Sequence, residues 1–196
     1  MKTILQIVLF IVIFGLSYAI YESIQQPIRF QEKQDARAKA VIDRLKNIRD
    51  VQVAYRNIHN RYTSSFDTLI DFVKNAKLPL IKMEGSLSDS LIEAGVTEAK
   101  ALAMGIIKRD TVYINAKDSL MKKGLNPDSL RYVPFTDKAK FELASGELTT
   151  GSGVKVQVFE AKVSNVVYLN GLDEQEIINL NDKAKKLDRY AGIKVG

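Results

Sequence analysis

The stretch Ile4–Tyr21 (ILQIVLFIVIFGLSYAIY) decides how this chain is built. No charge lies between Lys2 and Glu22, and only Gln6 and Ser17 interrupt the apolar character. A helix rises about 1.5 Å per residue, so a run of roughly 17–20 residues just crosses a hydrocarbon core of about 30 Å. Residues 1–27 are therefore expected to form a single transmembrane anchor. A secretory signal peptide fits the same letters, with Lys2 as its charged start, Ile4–Leu16 as its apolar centre and Ser17-Tyr18-Ala19 as a cleavage site. The anchor reading also uses Ile20 and Tyr21 beyond that cut, and it places Tyr18 and Tyr21 in an interfacial aromatic belt. In both readings the short N-terminal flank stays in the cytoplasm and the C-terminal domain is periplasmic or otherwise extracytoplasmic. The basic run that follows pulls the other way under the positive-inside rule. It starts only at Arg29, however, and is interspersed with Glu32, Asp35 and Asp43.

Beyond the apolar run, Pro27 is expected to close the membrane helix, and residues 28–62 read as a long amphipathic stalk helix. Apolar residues recur at Ala38, Val41, Leu45, Ile48, Tyr55 and Ile58, with Gln52 breaking the stripe. That spacing suits an amphipathic helix or a short coiled coil. Val41, Leu45, Ile48 and Tyr55 are the candidate seam for a partner helix, and the competing reading is a helix that covers its own globular domain.

The net charge of +6 is local. From Arg29 to Arg61 nine Lys or Arg face four acids, so the basic character describes one helix. Anionic lipid headgroups beside Arg29–Arg49 are a fitting partner for it, and a solvated helix face is the plainer reading. Nucleic acid is not expected, because no platform of aromatic and basic residues follows. The chain has no cysteine, which excludes disulfides, thiol catalysis and cysteine-ligated metals.

Residues 63–196 read as an α+β head. Ser64 or Ser65 caps a helix over Phe66–Asn75 that buries Phe66, Leu69, Ile70 and Val73. After Leu78-Pro79-Leu80, a helix over Leu87–Ile107 is interrupted at Gly95 and Gly105 and restarts near Thr97. Asp110–Asn115 alternates as a strand, Ala116–Lys123 is a helical turn, and Asn126-Pro127-Asp128 is a turn. Leu130–Phe135, Lys140–Ala144, Val154–Ala161 and Ser164–Leu169 read as strands. The two middle runs are antiparallel neighbours joined across Gly146–Gly153. Asp173–Leu187, with acids first and lysines last, is a C-terminal helix. The fold class is thus a membrane helix continuing into a long amphipathic helix, packed on a small antiparallel sheet with a C-terminal helix.

Catalytic chemistry finds little purchase. His59 is the only histidine and sits at a helix end without a nucleophile motif beside it, so an exposed cap describes it better than a general base. Asp173, Glu174 and Glu176 lack the alternating ligand spacing of a calcium loop and suit a helix N-terminus. Gly146–Gly153 (GELTTGSG) lacks the order of a phosphate-binding loop. Tyr55, Tyr62, Phe66 and Phe72 are expected in the core. No enzyme activity, metal or cofactor is expected.

The run Ile48–Tyr55 (IRDVQVAY), followed by Asn60–Leu69 (NRYTSSFDTL), resembles the end of the long N-terminal helix in type IV pilins and type II secretion pseudopilins. There a Gln…Tyr helix end gives way to a Tyr, small polar, then Leu segment. The resemblance covers about residues 48–70 and implies a membrane-anchored subunit with a sheet-bearing head. The family's Gly-Phe cleavage site and its early glutamate are absent, since the first acid here is Glu22. What the resemblance implies is therefore an accessory or platform component and not a processed filament subunit. The expected function is non-enzymatic: an envelope protein that joins other membrane-complex subunits through its helix. The alternative is a tethered, exported ligand-binding or sensor-like domain.

Overall fold

The computed structural model describes residues 2–121 and 124–196. The fold is α+β, with two small antiparallel sheets and a long N-terminal helix. Helix α1 runs from Lys2 to His59 without interruption. Pro27 lies inside it and does not end the apolar helix, contrary to expectation. Proline removes one N–H, here the donor to the Ser23 carbonyl, while the ladder on either side stays complete. From Gln6 to Tyr21 every side chain is exposed, up to 74% at Phe14, whereas further along one face becomes buried.

By packing, the residues group into two compact units, Asp50–Ser129 and Met1–Arg49 with Leu130–Gly196. The sequence divisions at 1–27, 28–62 and 63–196 follow hydropathy and do not coincide with them.

In the 50–129 unit, the end of α1 buries Val51, Gln52, Ala54 and Tyr55. Gln52 does not break the stripe. It is fully buried, and its amide clamps the backbone of Thr63, donating from Nε2 to the carbonyl at 2.6 Å and accepting from the N–H at 3.2 Å. A glutamine serves an apolar face in this way because both of its polar atoms are satisfied. Asn60 takes a left-handed conformation (φ 57°) just past the helix end, where such residues commonly terminate helices. Ser65 then caps α2 (Phe66–Asn75), its side chain accepting from the Thr68 N–H. Helix α2 buries Leu69, Ile70, Phe72 and Val73, with Phe72 taking the place expected of the half-buried Phe66.

The chain continues directly into strand β1 (Lys77–Glu84), which was expected only as a connection. It carries Pro79, yet it pairs along its length with β2 (Lys108–Asn115), from Lys77↔Asn115 to Glu84↔Lys108. In a two-stranded sheet both strands are edges, where a missing donor is tolerated. Between them lie α3 (Asp89–Glu93) and α4 (Glu98–Ala103), separated around Gly95 as expected, with Thr97, where a restart was expected, capping α4; the helix expected to reach Ile107 ends at Ala103. Gly85 has φ +93°, and a Cβ there would sit 2.2 Å from the Ile106 carbonyl oxygen, so the close approach requires glycine. A short α5 (Ala116–Leu120) follows. The rest of the expected turn, Lys122 and Lys123, lies outside the described residues.

In the other unit, α1 buries Phe30, Val41, Leu45 and Ile48. Leu130–Phe135 is not a strand. A 3-10 turn occupies Pro127–Arg131, and only an isolated bridge joins Tyr132 to Lys140. Strand β3 (Glu142–Thr149) passes straight through Gly146 and pairs with β4 (Lys155–Ser164), so the hairpin turn is narrower than expected. Gly153 (φ 79°) supplies its left-handed position, and the Thr150 and Val154 backbones close it. Ser164–Leu169 was the other misassigned strand. It forms α6 (Asn165–Tyr168), because buried Asn165 donates to the Asn181 side chain on α7 (Glu174–Lys186), and that tertiary bond outweighs the β preference of Val-Val-Tyr. The third strand is β5 (Gly192–Val195), antiparallel to Ala161–Ser164, so the sheet order is β3-β4-β5 and a strand follows the expected C-terminal helix.

Gln52→Leu keeps the size of the side chain but leaves the Thr63 amide and carbonyl unpaired. It should cost about 1–3 kcal/mol in urea denaturation of the detergent-solubilised chain. Leu45→Ala should cost about 2–5 kcal/mol by the same assay, as a buried position does.

Candidate functional site

The residues that follow the apolar run carry several polar contacts, some of them to distant parts of the chain. Arg29 donates to Glu22 at 2.9 Å, two helical turns towards the N-terminus. Side chains on a helix tilt towards its N-terminus, which lets a long guanidinium reach back that far. Gln26 donates from Nε2 to Asp173 Oδ2 at 2.5 Å. Further along, Arg37 donates to the carbonyls of Tyr168 (3.2 Å) and Asn170 (2.8 Å), and its guanidinium lies 5.8 Å from the Phe135 ring centre. Two successive stretches of α1 are thus tied to the connection between α6 and α7.

Asp173 is the hinge of this arrangement. As the N-cap of α7 its Oδ1 accepts from the Glu176 N–H at 3.1 Å, which settles the acids of residues 173–176 as a helix start. The Glu176 amide first, and the Gln26 amide second, hold its carboxyl below the ordinary aspartate range. Burial, reinforced by the Asp35 charge, pushes the Tyr168 phenol up. Between α1 and the Gly171–Asp173 connection lies a cavity of about 280 Å³, lined by Glu22, Gln26, Arg29, Phe30, Lys33 and Asp173.

The four seam residues are placed differently from the expectation. Val41, Leu45 and Ile48 are at most 2% exposed and Tyr55 is 7% exposed, so they fill the chain's own core and present no open seam. The Tyr55 ring meets Phe72 edge-on at 5.3 Å and lies 4.3 Å from the exposed His59 ring. Tyr62 and Phe66 are only half-buried. The described residues hold no group of three His, Asp or Glu side chains arranged for a metal ion.

The largest exposed apolar display in the 50–129 unit is the β1–β2 ribbon. Ile81, Met83 and Tyr113 are 64%, 53% and 66% exposed, and register puts them on one face with Pro79, Thr111 and Arg109. Both outer edges of this ribbon lack a strand partner among the described residues. Sequence reading missed it because β1 was not recognised; the alternation of Leu78, Leu80 and Lys82 against Pro79, Ile81 and Met83 carries no polar face to mark it.

No known protein family, curated protein or solved structure matches the chain.

The depressed carboxyl of Asp173 gives a pH dependence of definite sign. A carboxyl with a lowered folded pKa stabilises above its unfolded pKa, and the contribution fades as pH falls through the folded one. The protection of the Glu176 amide, its exchange relative to the intrinsic rate at each pH, should therefore fall in acid, below the ordinary aspartate range. In Asp173→Ala that protection should already be low at neutral pH and show no acid step.

Proposed function

We propose that this chain is a single-pass, non-enzymatic envelope protein: α1 crosses the bilayer with its N-terminus in the cytoplasm, and the folded residues stand on the far side as a subunit of a secretion, pilus-like or related envelope assembly. The observation that carries the reading is the continuity of α1. One helix is apolar and exposed around its circumference at Gln6–Tyr21, and the same helix buries Phe30, Val41, Leu45 and Ile48 beyond. Gln6–His59 holds a window of mean hydropathy 2.1, none of it buried, the composition of a membrane span. Exposed apolar surface on that scale is stable against lipid and not against water.

The clasp of Gln26 and Arg37 supports a head that begins at the bilayer surface without a free stalk. Arg29–Arg49 then faces the headgroup layer and the solution above it, where anionic lipids favour Lys and Arg. Protein contacts fall to surfaces left open, and the β1–β2 ribbon with its free edges and exposed Ile81, Met83 and Tyr113 suits addition of a partner strand. The resemblance of residues 48–70 to pilins and pseudopilins implies an accessory role in such a machine.

Retention in membranes after an alkaline wash, with an intact N-terminal sequence, is the expected result. A start at Ile20 with release into the wash would sink the anchor. Because the chain has no cysteine, Thr150→Cys should react with a membrane-impermeant maleimide from the outer side of intact cells. Thr3→Cys should react only after permeabilisation, and the reverse pattern would overturn the orientation.

A further inference from the structure

Between the end of α1 and helix α2 lies a second cavity, of about 330 Å³, lined by Tyr55, His59, Thr68, Asp71, Phe72 and Asn75. All six residues belong to the Asp50–Ser129 unit, so the site does not depend on the membrane span. Tyr55 and His59 are four apart on α1, and Thr68, Asp71, Phe72 and Asn75 follow the spacing of one face of α2. Three rings gather here: Tyr55 lies 5.3 Å from Phe72 and 4.3 Å from His59, and His59 lies 6.0 Å from Phe72. Tyr55 and Phe72 are buried, whereas His59 is exposed. The Asp71 carboxylate accepts from Asn75 Nδ2 at 2.6 Å and has no cationic partner among the described residues. That bond leaves Asn75 Oδ1 and the other carboxylate lone pairs as acceptors, and the Thr68 hydroxyl adds one more. Lys and Arg are absent from the lining.

We infer that this cavity binds a guanidinium group, stacked on the aromatic wall with its N–H groups directed to Asp71, Asn75 Oδ1 and Thr68. Charge makes the first selection. An anion would meet the Asp71 carboxylate with no lysine or arginine to offset it, and an uncharged ligand would desolvate that carboxylate without pairing it. A cation gains from both walls, because aromatic faces attract positive charge within about 6 Å of the ring centre. Shape makes the second selection. An ammonium is a compact, strongly hydrated point charge, whereas a guanidinium is planar, weakly hydrated, stacks on rings and donates two parallel hydrogen bonds to one carboxylate. The volume is at the small end for ligand cavities, so it takes the head group and leaves the rest of the ligand outside. An arginine side chain of a protein partner and a free guanidino compound both present that head group.

The full chain in detergent micelles tests this. His59 is the only histidine, so its ring gives a single signal in carbon–proton NMR. Titration with N-acetylarginine amide at constant pH should move that signal to saturation. N-acetylcitrulline amide, a neutral analogue of the same shape, and N-acetyllysine amide should each bind about tenfold more weakly. Asp71→Asn keeps a carbonyl for the Asn75 amide and should weaken the arginine compound about tenfold, with an unchanged circular dichroism spectrum. His59→Ala, read at the Asn75 side-chain amide, should weaken it about threefold. Equal binding of the citrulline and arginine compounds would overturn the cation site, and so would a lack of saturable shift with either. An arginine affinity that survives Asp71→Asn unchanged would remove the carboxylate and overturn it too. Equal binding of the lysine compound would overturn the guanidinium assignment. Methylguanidinium separates the sources, and both results uphold the site. An affinity equal to that of the arginine compound assigns the cavity to the head group of a free guanidino compound, whereas binding about tenfold weaker assigns it to an arginine carried on a polypeptide.

Discussion

One helix carries two surface patterns. Over its first third α1 offers apolar side chains in every direction, and beyond Phe30 it offers them on one side only. Both patterns must be read by a single backbone, because α1 runs unbroken from Lys2 to His59 and Pro27 removes only the one bond to the Ser23 carbonyl. A rotation of the helix about its axis changes nothing for the apolar third, whereas it would expose Val41, Leu45 and Ile48. The register of the helix is therefore set by its buried face and transmitted to the apolar end. The Gln26–Asp173 and Arg37 contacts hold the same register just beyond that end.

The polar contacts around this helix differ in what they contribute. Several ion pairs join exposed groups, such as Lys74 with Asp128 and Lys82 with Glu84. Such pairs are worth about 0–1 kcal/mol in water. The same holds on the open face of the three-stranded sheet, where Lys162 and Lys194 draw the Glu160 carboxyl down. Gln52 and Asn165 are of another kind. Both are buried, and each fixes a connection: the turn after α1 in one case and the start of α6 in the other. Losing a partner there exposes the full desolvation cost of the remaining group.

The same contrast explains which parts of the fold could be read from sequence. The apolar run, the heptad-like face of α1, the capped α2 and α7, the β3–β4 pairing and the break at Gly95 all carry local signals: periodicity, caps or glycine. The failures fall where a distant residue decides. Val166-Val167-Tyr168 has strand character, yet Asn181 holds Asn165 in a helical turn. Leu78-Pro79-Leu80 looks like a connection until β2 arrives to pair with it. Gln52 looks polar until the Thr63 backbone satisfies it. The candidate site was half legible. Arg29 and Lys33 stand out as charges and Asp173 as a helix start, but nothing local joins positions so far apart in the chain.

The grouping of residues also bears on how the protein is made. The Asp50–Ser129 unit is one uninterrupted segment, so it can close on itself as soon as it is synthesised. The other unit draws on both ends of the chain and cannot assemble until residues 130–196 exist. At about 5–20 residues per second, the interval after Ile48 emerges is on the order of ten seconds. Throughout it Val41, Leu45 and Ile48 lack the strands and helices of their own unit. Biogenesis therefore passes through a state with a finished middle and an uncovered helix, and whatever shields that face during synthesis governs how much of the protein reaches its final form.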